Sequence, residues 1–266
     1  MTKPTMKPTI SERLASTART WLTSLRHFVF PTHCPSCGSR LMPGESVVCA
    51  ACFSQLELTG FDPCGPNDME RMFWGQFAIV HAHSFIYYTK EAPAAHIIRA
   101  IKYHDRPELG RTLARQFALQ LQETPFFDHI ETIVPVPISR KRMRSRGYNQ
   151  SEWIAKGLAD ATGIPLRTDV LRRIDEGNSQ TKISPLLRKE NVNGAFVATP
   201  QASTLSGRRV LIVDDVMTTG STLTACAQAL EASGTSGISI FTLTISSKLP
   251  HSHFFLDDLD LAPFCS

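Results

Sequence analysis

The chain has 266 residues, a formal net charge of +4 and a hydrophobic fraction of 42%. This length suits one large domain or one domain with a small appendage, and the composition is that of an ordinary soluble protein. No run approaches the roughly 18 apolar residues of a membrane span, and no signal-peptide core follows the basic N-terminus. We therefore expect a cytoplasmic protein, and the small net charge does not by itself require an anionic partner.

Residues 1–30 are predicted to form a polar tail followed by an amphipathic helix. Thr9 and Glu12 have the spacing of a capping box, and apolar side chains then recur at helical spacing as far as Phe28. We favour a helix that packs on the main body over one that lies on a membrane surface.

Five of the seven cysteines fall within one short turn-rich stretch, which predicts a metal site at residues 31–66. The first four form two C-x-x-C pairs separated by eleven residues. Each pair can direct two sulfur atoms at one point, so that four thiolates complete the tetrahedral coordination of zinc. In a reducing compartment this pattern favours metal over disulfides. The predicted ligands of this structural zinc module are Cys34, Cys37, Cys49 and Cys52.

Two neighbours of this cluster admit more than one role. Cys64 has no C-x-x-C mate, so it is either a spare thiol or a replacement for one of the four ligands. His33 precedes the first pair, and we favour a supporting or solvent-facing role for it over ligation. Four thiolates leave no open coordination position, so the metal is expected to be structural.

Strands that alternate with helices predict a mostly parallel α/β sheet flanked by helices over residues 77–248. Residues 164–183 are expected to be irregular, and residues 249–266 form a C-terminal tail. The predicted strands are 77–88, 130–137, 208–214 and 237–245, and the predicted helices are 91–104, 107–123, 149–162, 185–192 and 222–233.

Asp214 and Asp215 follow a short apolar run at the carboxyl end of a predicted central strand, where ligands bind in open α/β sheets. A loop rich in hydroxyl groups then leads into a helix whose free N–H groups suit a phosphate. The loop lacks the lysine of a Walker A motif. The two carboxylates suit the hydroxyl groups of a ribose, or Mg²⁺, so a ribose next to a phosphate fits both halves. The candidate phosphate-binding residues are Thr218, Thr219, Gly220, Ser221 and Thr222.

Two other interpretations of this stretch explain less. Phospho-receiver domains also carry an acidic pair after a strand, but that pair lies near the start of the domain, and only 51 residues follow Asp215 here. An acidic surface turn without a ligand would not account for the acidic pair and the hydroxyl-rich loop together.

Five basic residues lie within seven positions after the predicted strand 130–137. Beside a diphosphate ligand they would neutralise its charge, and along an exposed surface they would line a path for nucleic acid. A solvated charged face is the third alternative for each single residue. The residues are Arg140, Lys141, Arg142, Arg144 and Arg146.

The stretch VLIVDDVMTTGSTL resembles the phosphoribosyl-pyrophosphate (PRPP) signature of type I phosphoribosyltransferases. The wider layout is similar to the ComF/GntX family of competence-associated, phosphoribosyltransferase-like proteins. The segments that carry this resemblance are FPTHCPSCG, IKYHDRPELGRTLA, VPVPISRKRMRSRGYNQS and SQTKISPLLRKENVNGAF, together with the terminal signature.

The resemblance implies a type I phosphoribosyltransferase-like α/β fold behind the small four-cysteine zinc module. It implies that Asp214 and Asp215 are the catalytic pair that contacts the ribose, with Mg²⁺ bound alongside PRPP. The loop 218–222 would hold the 5′-phosphate. Lys102 and Arg188 would join the arginine cluster on the pyrophosphate or nucleic-acid side.

The family resemblance also implies a role in DNA uptake during natural transformation, with single-stranded DNA and a competence helicase as partners. Thr218 stands where many nucleobase phosphoribosyltransferases have an acid near the leaving base, a departure that argues against direct catalysis on a base. The sequence does not identify the acceptor. Two functions therefore stay open. One is phosphoribosyl transfer to an unknown acceptor, and the other is a non-catalytic DNA-binding or scaffold protein that keeps the PRPP site for sensing.

Overall fold

The computed structural model describes residues 32–63, 65–175 and 195–247. The chain divides into two compact units, residues 1–54 and 55–266. In the described part of the chain, no helix has the length and apolar character needed to cross a membrane.

Several predictions fall outside the described residues. They are the helix expected within residues 1–30, Cys64, the helix 185–192 with Arg188, and the tail 249–266.

The described part of the first unit is a small turn-rich fold around the cysteine pairs. A β-bridge joins His33 to Arg40, and a four-residue helix, α1 (Ala50–Phe53), begins just after Cys49. Glu45 accepts hydrogen bonds from the main-chain N–H groups of Met42 and Ala50, each at 2.7 Å, and so fixes the loop that links the two pairs.

The second unit contains two sheets and six α-helices among its described residues. Its strands are β1 (Ile79–Tyr88), β2 (Thr132–Pro135), β3 (Leu171–Arg173), β4 (Phe196–Ala198), β5 (Arg209–Met217) and β6 (Gly237–Ser246). Its helices are α2 (Asp68–Arg71), α3 (Pro93–Tyr103), α4 (Pro107–Leu121), α5 (Arg140–Arg146), α6 (Gln150–Thr162) and α7 (Ser221–Glu231).

The main sheet is parallel and has the strand order β1-β6-β5-β2, which confirms the predicted sheet. The central strands β5 and β6 are buried along nearly their whole length, as expected for strands covered on both faces. In register, Ile212 of β5 lies between Val134 of β2 and Ile240 of β6. The carboxyl ends of these strands therefore meet at one edge of the sheet.

Strand β5 continues three residues beyond its predicted end at residue 214. Val216 and Met217 pair with Thr244 and Ile245 of the long strand β6, so the ladder does not stop at the acidic pair. Asp214 and Asp215 consequently lie within the strand rather than in the loop after it, and the backbone of a central strand fixes their positions.

Helices α4 and α6 pack closely against each other because α6 carries a glycine at their crossing. A Cβ atom at Gly157 would lie 2.2 Å from the main-chain oxygen of Arg111, so only glycine allows this approach. Asn149 caps the start of α6 and Gly163, with φ of +74°, ends it, so the helix has nearly the bounds predicted for it, 149–162. This packing places the first turn of α6 beside the carboxyl end of β5, where Ser151 meets Asp214.

Two short elements differ from the expectation for the sequence. Residues 164–183 were expected to be irregular, but β3 lies within them and pairs antiparallel with β4. The basic segment forms helix α5, although its residues show no apolar period. Ser139 accepts a hydrogen bond from the N–H of Arg142 at its start, and Gly147, with φ of +81°, ends it.

Candidate functional site

Asp214 and Asp215 are buried near the carboxyl end of β5, with only 9% and 3% of their surfaces exposed. The Ser151 hydroxyl donates to Asp214 Oδ1 at 2.7 Å, and the main-chain N–H of Asp215 donates to the same oxygen at 2.9 Å. These two bonds fix the orientation of the Asp214 carboxylate. Both bonds go to Oδ1, and Asp214 also lines a pocket where a ligand can reach it.

The second carboxylate is held by a cation. Lys102 Nζ lies 2.6 Å from Asp215 Oδ2. The contact is an ion pair rather than a well-aligned hydrogen bond, because Oδ2 has no hydrogen bond of regular geometry. The Thr244 hydroxyl donates to the main-chain oxygen of Asp215 at 3.2 Å, which ties this end of β5 to β6.

The surroundings of Asp214 favour its protonated form. Burial, reinforced by the neighbouring charge of Asp215, raises the pKa of Asp214 to about 7. The hydrogen bonds from Ser151 and from the Asp215 N–H, together with the charge of Lys102, act in the opposite direction. The net effect is that Asp214 is protonated more readily than an exposed aspartate.

A pocket of about 200 Å³ opens beside the acidic pair. Four cationic side chains from three separate elements line it: Lys102 from α3, Arg142 and Arg146 from α5, and Arg173 from β3. The other lining residues are Tyr103, Val136, Pro137, Ile138, Gln150, Asp214, Asp215, Val216 and Thr222.

The predicted basic cluster is divided by the geometry of α5. Arg142 and Arg146 line the pocket, whereas Arg140, Lys141 and Arg144 are not among its lining residues. Arg140 instead pairs with Asp175, whose Oδ1 also accepts the main-chain N–H of Arg140 at 3.1 Å. The cluster therefore has one group that faces the pocket and one that faces solvent.

The hydroxyl-rich loop joins β5 to α7 at the edge of the pocket. Thr218 and Thr219 are exposed. Of the five predicted phosphate-binding residues, Thr222 is the one that lines the pocket, and it lies in the first turn of α7. Gly220 has φ of +77°, and a Cβ atom there would lie 3.0 Å from the ring of the buried Phe73. This turn starts α7 with its first N–H groups unpaired inside the helix, an arrangement that suits a phosphate.

Residues 146–151 contact both the acidic pair and the pocket lining, and no motif in the sequence indicates them as a group. The Tyr148 hydroxyl donates to the main-chain oxygen of Ile101 at 2.5 Å, directly before Lys102. Arg146 donates to Gln150 and lies over the ring of Tyr103, 5.3 Å from its centroid. The available signal was a run of polar residues opening a helix that packs into the core.

Arg173 is the other lining residue that the sequence did not suggest. It lies on β3, and its guanidinium stacks on Phe196 of β4 at 5.2 Å from the ring centroid. Since residues 164–183 were expected to be irregular, no strand register indicated that Arg173 would face the pocket.

The four predicted ligand cysteines come together in the first unit. Their sulfur atoms all lie within 4.8 Å of one another, and those of Cys37 and Cys49 are 3.6 Å apart. Tetrahedral zinc with Zn–S bonds of about 2.3 Å separates its sulfurs by about 3.8 Å, so the group fits such a metal. Hydrogen bonds from Ser39 lower the pKa of Cys37 to about 6, whereas burial raises the pKa of Cys52 to about 12, so without metal the thiolate form is favoured at Cys37 and opposed at Cys52.

Residues 109–251 match the model of the phosphoribosyl transferase domain. The chain belongs to this family. Competence protein F of Haemophilus influenzae is 26% identical over 230 residues, which cover 80% of this chain and 97% of that protein. The DNA utilization protein YhgH of Salmonella typhimurium is 31% identical over 57% of this chain and 66% of its own length.

These matches confirm the resemblance to the ComF family and the type I phosphoribosyltransferase-like fold expected from it. Among solved structures, the allosteric regulatory enzyme of purine biosynthesis is 22% identical, with a TM-score of 0.39. That match covers 54% of this chain and 29% of the enzyme.

The hydrogen bond to Ser151 and the charge of Asp215 should move the Asp214 pKa in opposite directions. Ser151→Ala removes a donor, so we expect the Asp214 pKa to rise. Asp215→Asn removes the adjacent negative charge, so we expect it to fall. Carboxyl ¹³C NMR titrations of the two variants and the wild type measure both shifts. Ser203→Ala, at a surface serine that donates to Pro200, is the control. Shifts of the same sign would contradict this account.

The raised Asp214 pKa also has a consequence for stability. The folded protein keeps the Asp214 proton up to about pH 7, whereas the unfolded chain loses it near pH 4, so this group lowers stability as pH rises between them. Asp214→Asn should remove this contribution to the pH dependence of the free energy of unfolding. The measurement compares the free energies of unfolding of the variant and the wild type at the two ends of this pH range. An unchanged pH dependence would count against the assignment.

Proposed function

We propose that the pocket binds PRPP and that the protein acts in the uptake or use of DNA. The observation that carries the first part is the meeting of a buried acidic pair with a cationic wall in one pocket, beside a hydroxyl-rich loop. The names of competence protein F and the DNA utilization protein support the second part.

Each part of PRPP has a matching group in the pocket. Asp214 and Asp215 accept hydrogen bonds from the ribose hydroxyls, and the loop 218–222 with the start of α7 holds the 5′-phosphate. Lys102 and the two lining arginines of α5 face the diphosphate. PRPP is larger than a cavity of about 200 Å³ holds in full, so part of the ligand lies at the open mouth of the pocket.

Magnesium fits this site mainly as a companion of the ligand. Asp215 already has Lys102 at 2.6 Å, so few protein oxygens are available, and Mg²⁺ would be held largely by diphosphate oxygens and water. When bound, the ion would neutralise charge on the diphosphate.

If the ligand is turned over, the chain contributes positioning and charge stabilisation. The bond between ribose C1 and the diphosphate oxygen breaks, and an acceptor atom forms a bond to C1 in its place. Arg142, Arg146 and Lys102 would stabilise the negative charge on the departing diphosphate. Thr218 is exposed and supplies no carboxylate to take a proton from the acceptor. The acceptor therefore has to provide that proton chemistry, or the site binds PRPP without consuming it.

A second function, binding of single-stranded DNA, is favoured by the surface next to the pocket mouth. Residues 140–145 of α5 are exposed, and Tyr103 is 70% exposed with the Arg146 guanidinium over its ring. Cationic side chains beside an accessible aromatic ring suit the phosphates and bases of a single strand. A competence helicase as partner and a cytoplasmic location remain predictions from the sequence.

We also propose that the metal of the first unit is zinc with a structural role. All four ligand positions are filled by thiolates, and a fold of this size needs the metal for its stability.

PRPP binding is tested by calorimetry on the full chain with Mg²⁺. We expect saturable binding by the wild type, and weakening by about 10- to 100-fold in Asp214→Asn and in Arg142→Ala, because each loses a charge-assisted contact. Lys141→Ala is the matched control, since it removes one charge from the same helix outside the pocket. No measurable binding by the wild type would rule out this function.

Metal analysis of the purified chain should find about one zinc per molecule. Cys52→Ser removes one ligand, so we expect zinc to be lost and the first unit to become sensitive to proteolysis. Cys226→Ala alters a thiol on α7, in the other unit, and should leave the zinc content unchanged. A metal-free wild type, or full zinc retention in Cys52→Ser, would count against a four-cysteine zinc site.

Single-strand binding is measured by anisotropy of a labelled oligonucleotide over a range of salt concentrations. Arg144→Ala should weaken binding and reduce its salt dependence, since it removes an exposed phosphate contact, while PRPP binding stays unchanged. Arg115→Ala, on the exposed surface of α4, serves as the control. Affinity that responds neither to salt nor to Arg144→Ala would argue against α5 as the DNA surface.

A further inference from the structure

The ion pair of Lys102 and Asp215 occupies one of the two carboxylates that the proposed function assigns to the ribose. The separation is 2.6 Å, and the two side chains are 22% and 5% exposed. The neighbouring Asp214 keeps one oxygen outside its hydrogen bonds to Ser151 and the Asp215 N–H. A ribose hydroxyl can therefore reach Asp214 directly, but it can reach the paired oxygen of Asp215 only if Lys102 moves.

The main chain next to Lys102 is fixed, so any movement belongs to the side chain. Lys102 lies in the last turn of α3, and the preceding Ile101 accepts the hydrogen bond of Tyr148. A lysine ammonium sits on a flexible four-carbon stem and can exchange one anionic partner for another. The pocket in which it would move also contains Arg142 and Arg146, which are the residues facing a diphosphate.

A buried carboxylate that loses its cation without replacement is costly, and so is an ammonium removed from water without a partner. A diphosphate supplies a new anionic partner for Lys102, and the ribose hydroxyls of the same ligand then supply hydrogen bonds to Asp215. Ribose 5-phosphate supplies only the hydroxyls, because its single phosphate belongs at the loop 218–222. It would have to separate the ion pair without compensation for the ammonium.

We propose that Lys102 makes this site selective for a diphosphate-bearing pentose phosphate over ribose 5-phosphate, by covering Asp215 until the diphosphate draws the ammonium away. This role rests on the proposed function and adds to it. In it Lys102 is a specificity-determining residue as well as a diphosphate contact. A lysine that only attracted anions would raise the affinity for both ligands by a similar factor, so it would not make the site selective.

The test compares PRPP with ribose 5-phosphate, both with Mg²⁺, by calorimetry on the wild type and Lys102→Gln. The glutamine amide keeps a donor for Asp215 but has no charge to pass to a diphosphate. We expect PRPP to bind about 10- to 100-fold more weakly, and ribose 5-phosphate to bind as in the wild type or more tightly. The ratio of the two dissociation constants should therefore fall by at least about tenfold.

Lys156→Gln is the matched control, because Lys156 pairs with Glu152 and Trp153 on α6 and is absent from the pocket lining. It should leave the ratio unchanged. Lys102→Arg keeps the charge and should keep the preference for PRPP, which provides a second variant if circular dichroism shows Lys102→Gln to be unfolded. Loss of that preference in folded Lys102→Arg would contradict the proposed role.

The outcomes separate this inference from the proposed function on which it rests. If the wild type binds PRPP and Lys102→Gln weakens both ligands by the same factor, Lys102 is a general anion attractor and the selectivity role is wrong. If the wild type binds neither ligand, PRPP binding itself is wrong and the inference fails with it.

Discussion

The burial of two adjacent carboxylates within a central strand is the constraint on which the rest of the site depends. Because β5 continues through Asp214 and Asp215, neither side chain can turn out to bulk water. Each must be satisfied from the surrounding elements. Asp214 takes a hydroxyl from α6, and Asp215 takes an ammonium from α3. Three elements are thus fixed around the acidic pair before any ligand binds, which is the preorganisation that a binding site requires.

The segment 146–151 connects the acidic pair to the cationic side of the pocket. Ser151 orients Asp214, Tyr148 holds the end of α3 that carries Lys102, and Gln150 accepts from Arg146. The same few residues therefore set the acidic wall and part of the cationic wall. The glycine at position 157, which lets α6 lie against α4, brings this segment within reach of β5. A substitution that alters the packing of α6 would consequently disturb the pocket, even where the substituted residue does not line it.

The sequence could predict those features whose signals are local. The apolar runs of β5 and β6 and the two C-x-x-C pairs each indicate their structure within a few positions of the sequence. Helix α5 could not be predicted, because none of its residues is buried and its sequence has no apolar period. The β3–β4 pairing and the bond from Ser151 to Asp214 join residues far apart in the chain, the latter by 63 positions. Arg173 lines the pocket because β3 pairs with β4, and no local pattern in the sequence indicates that pairing.

The charge of the pocket narrows the class of ligand further than the fold does. Four cations and two carboxylates line the pocket, and Lys102 is already paired with Asp215. The three arginines therefore make the electrostatic potential of the pocket positive. The carboxylate oxygens of the acidic pair still offer acceptors for hydroxyl groups. A neutral sugar would bring no anion to the arginines, and a simple phosphate would bring no hydroxyl groups to the carboxylates. The two walls together favour a ligand that carries both hydroxyl groups and several negative charges, and the proposed ligand PRPP has that combination.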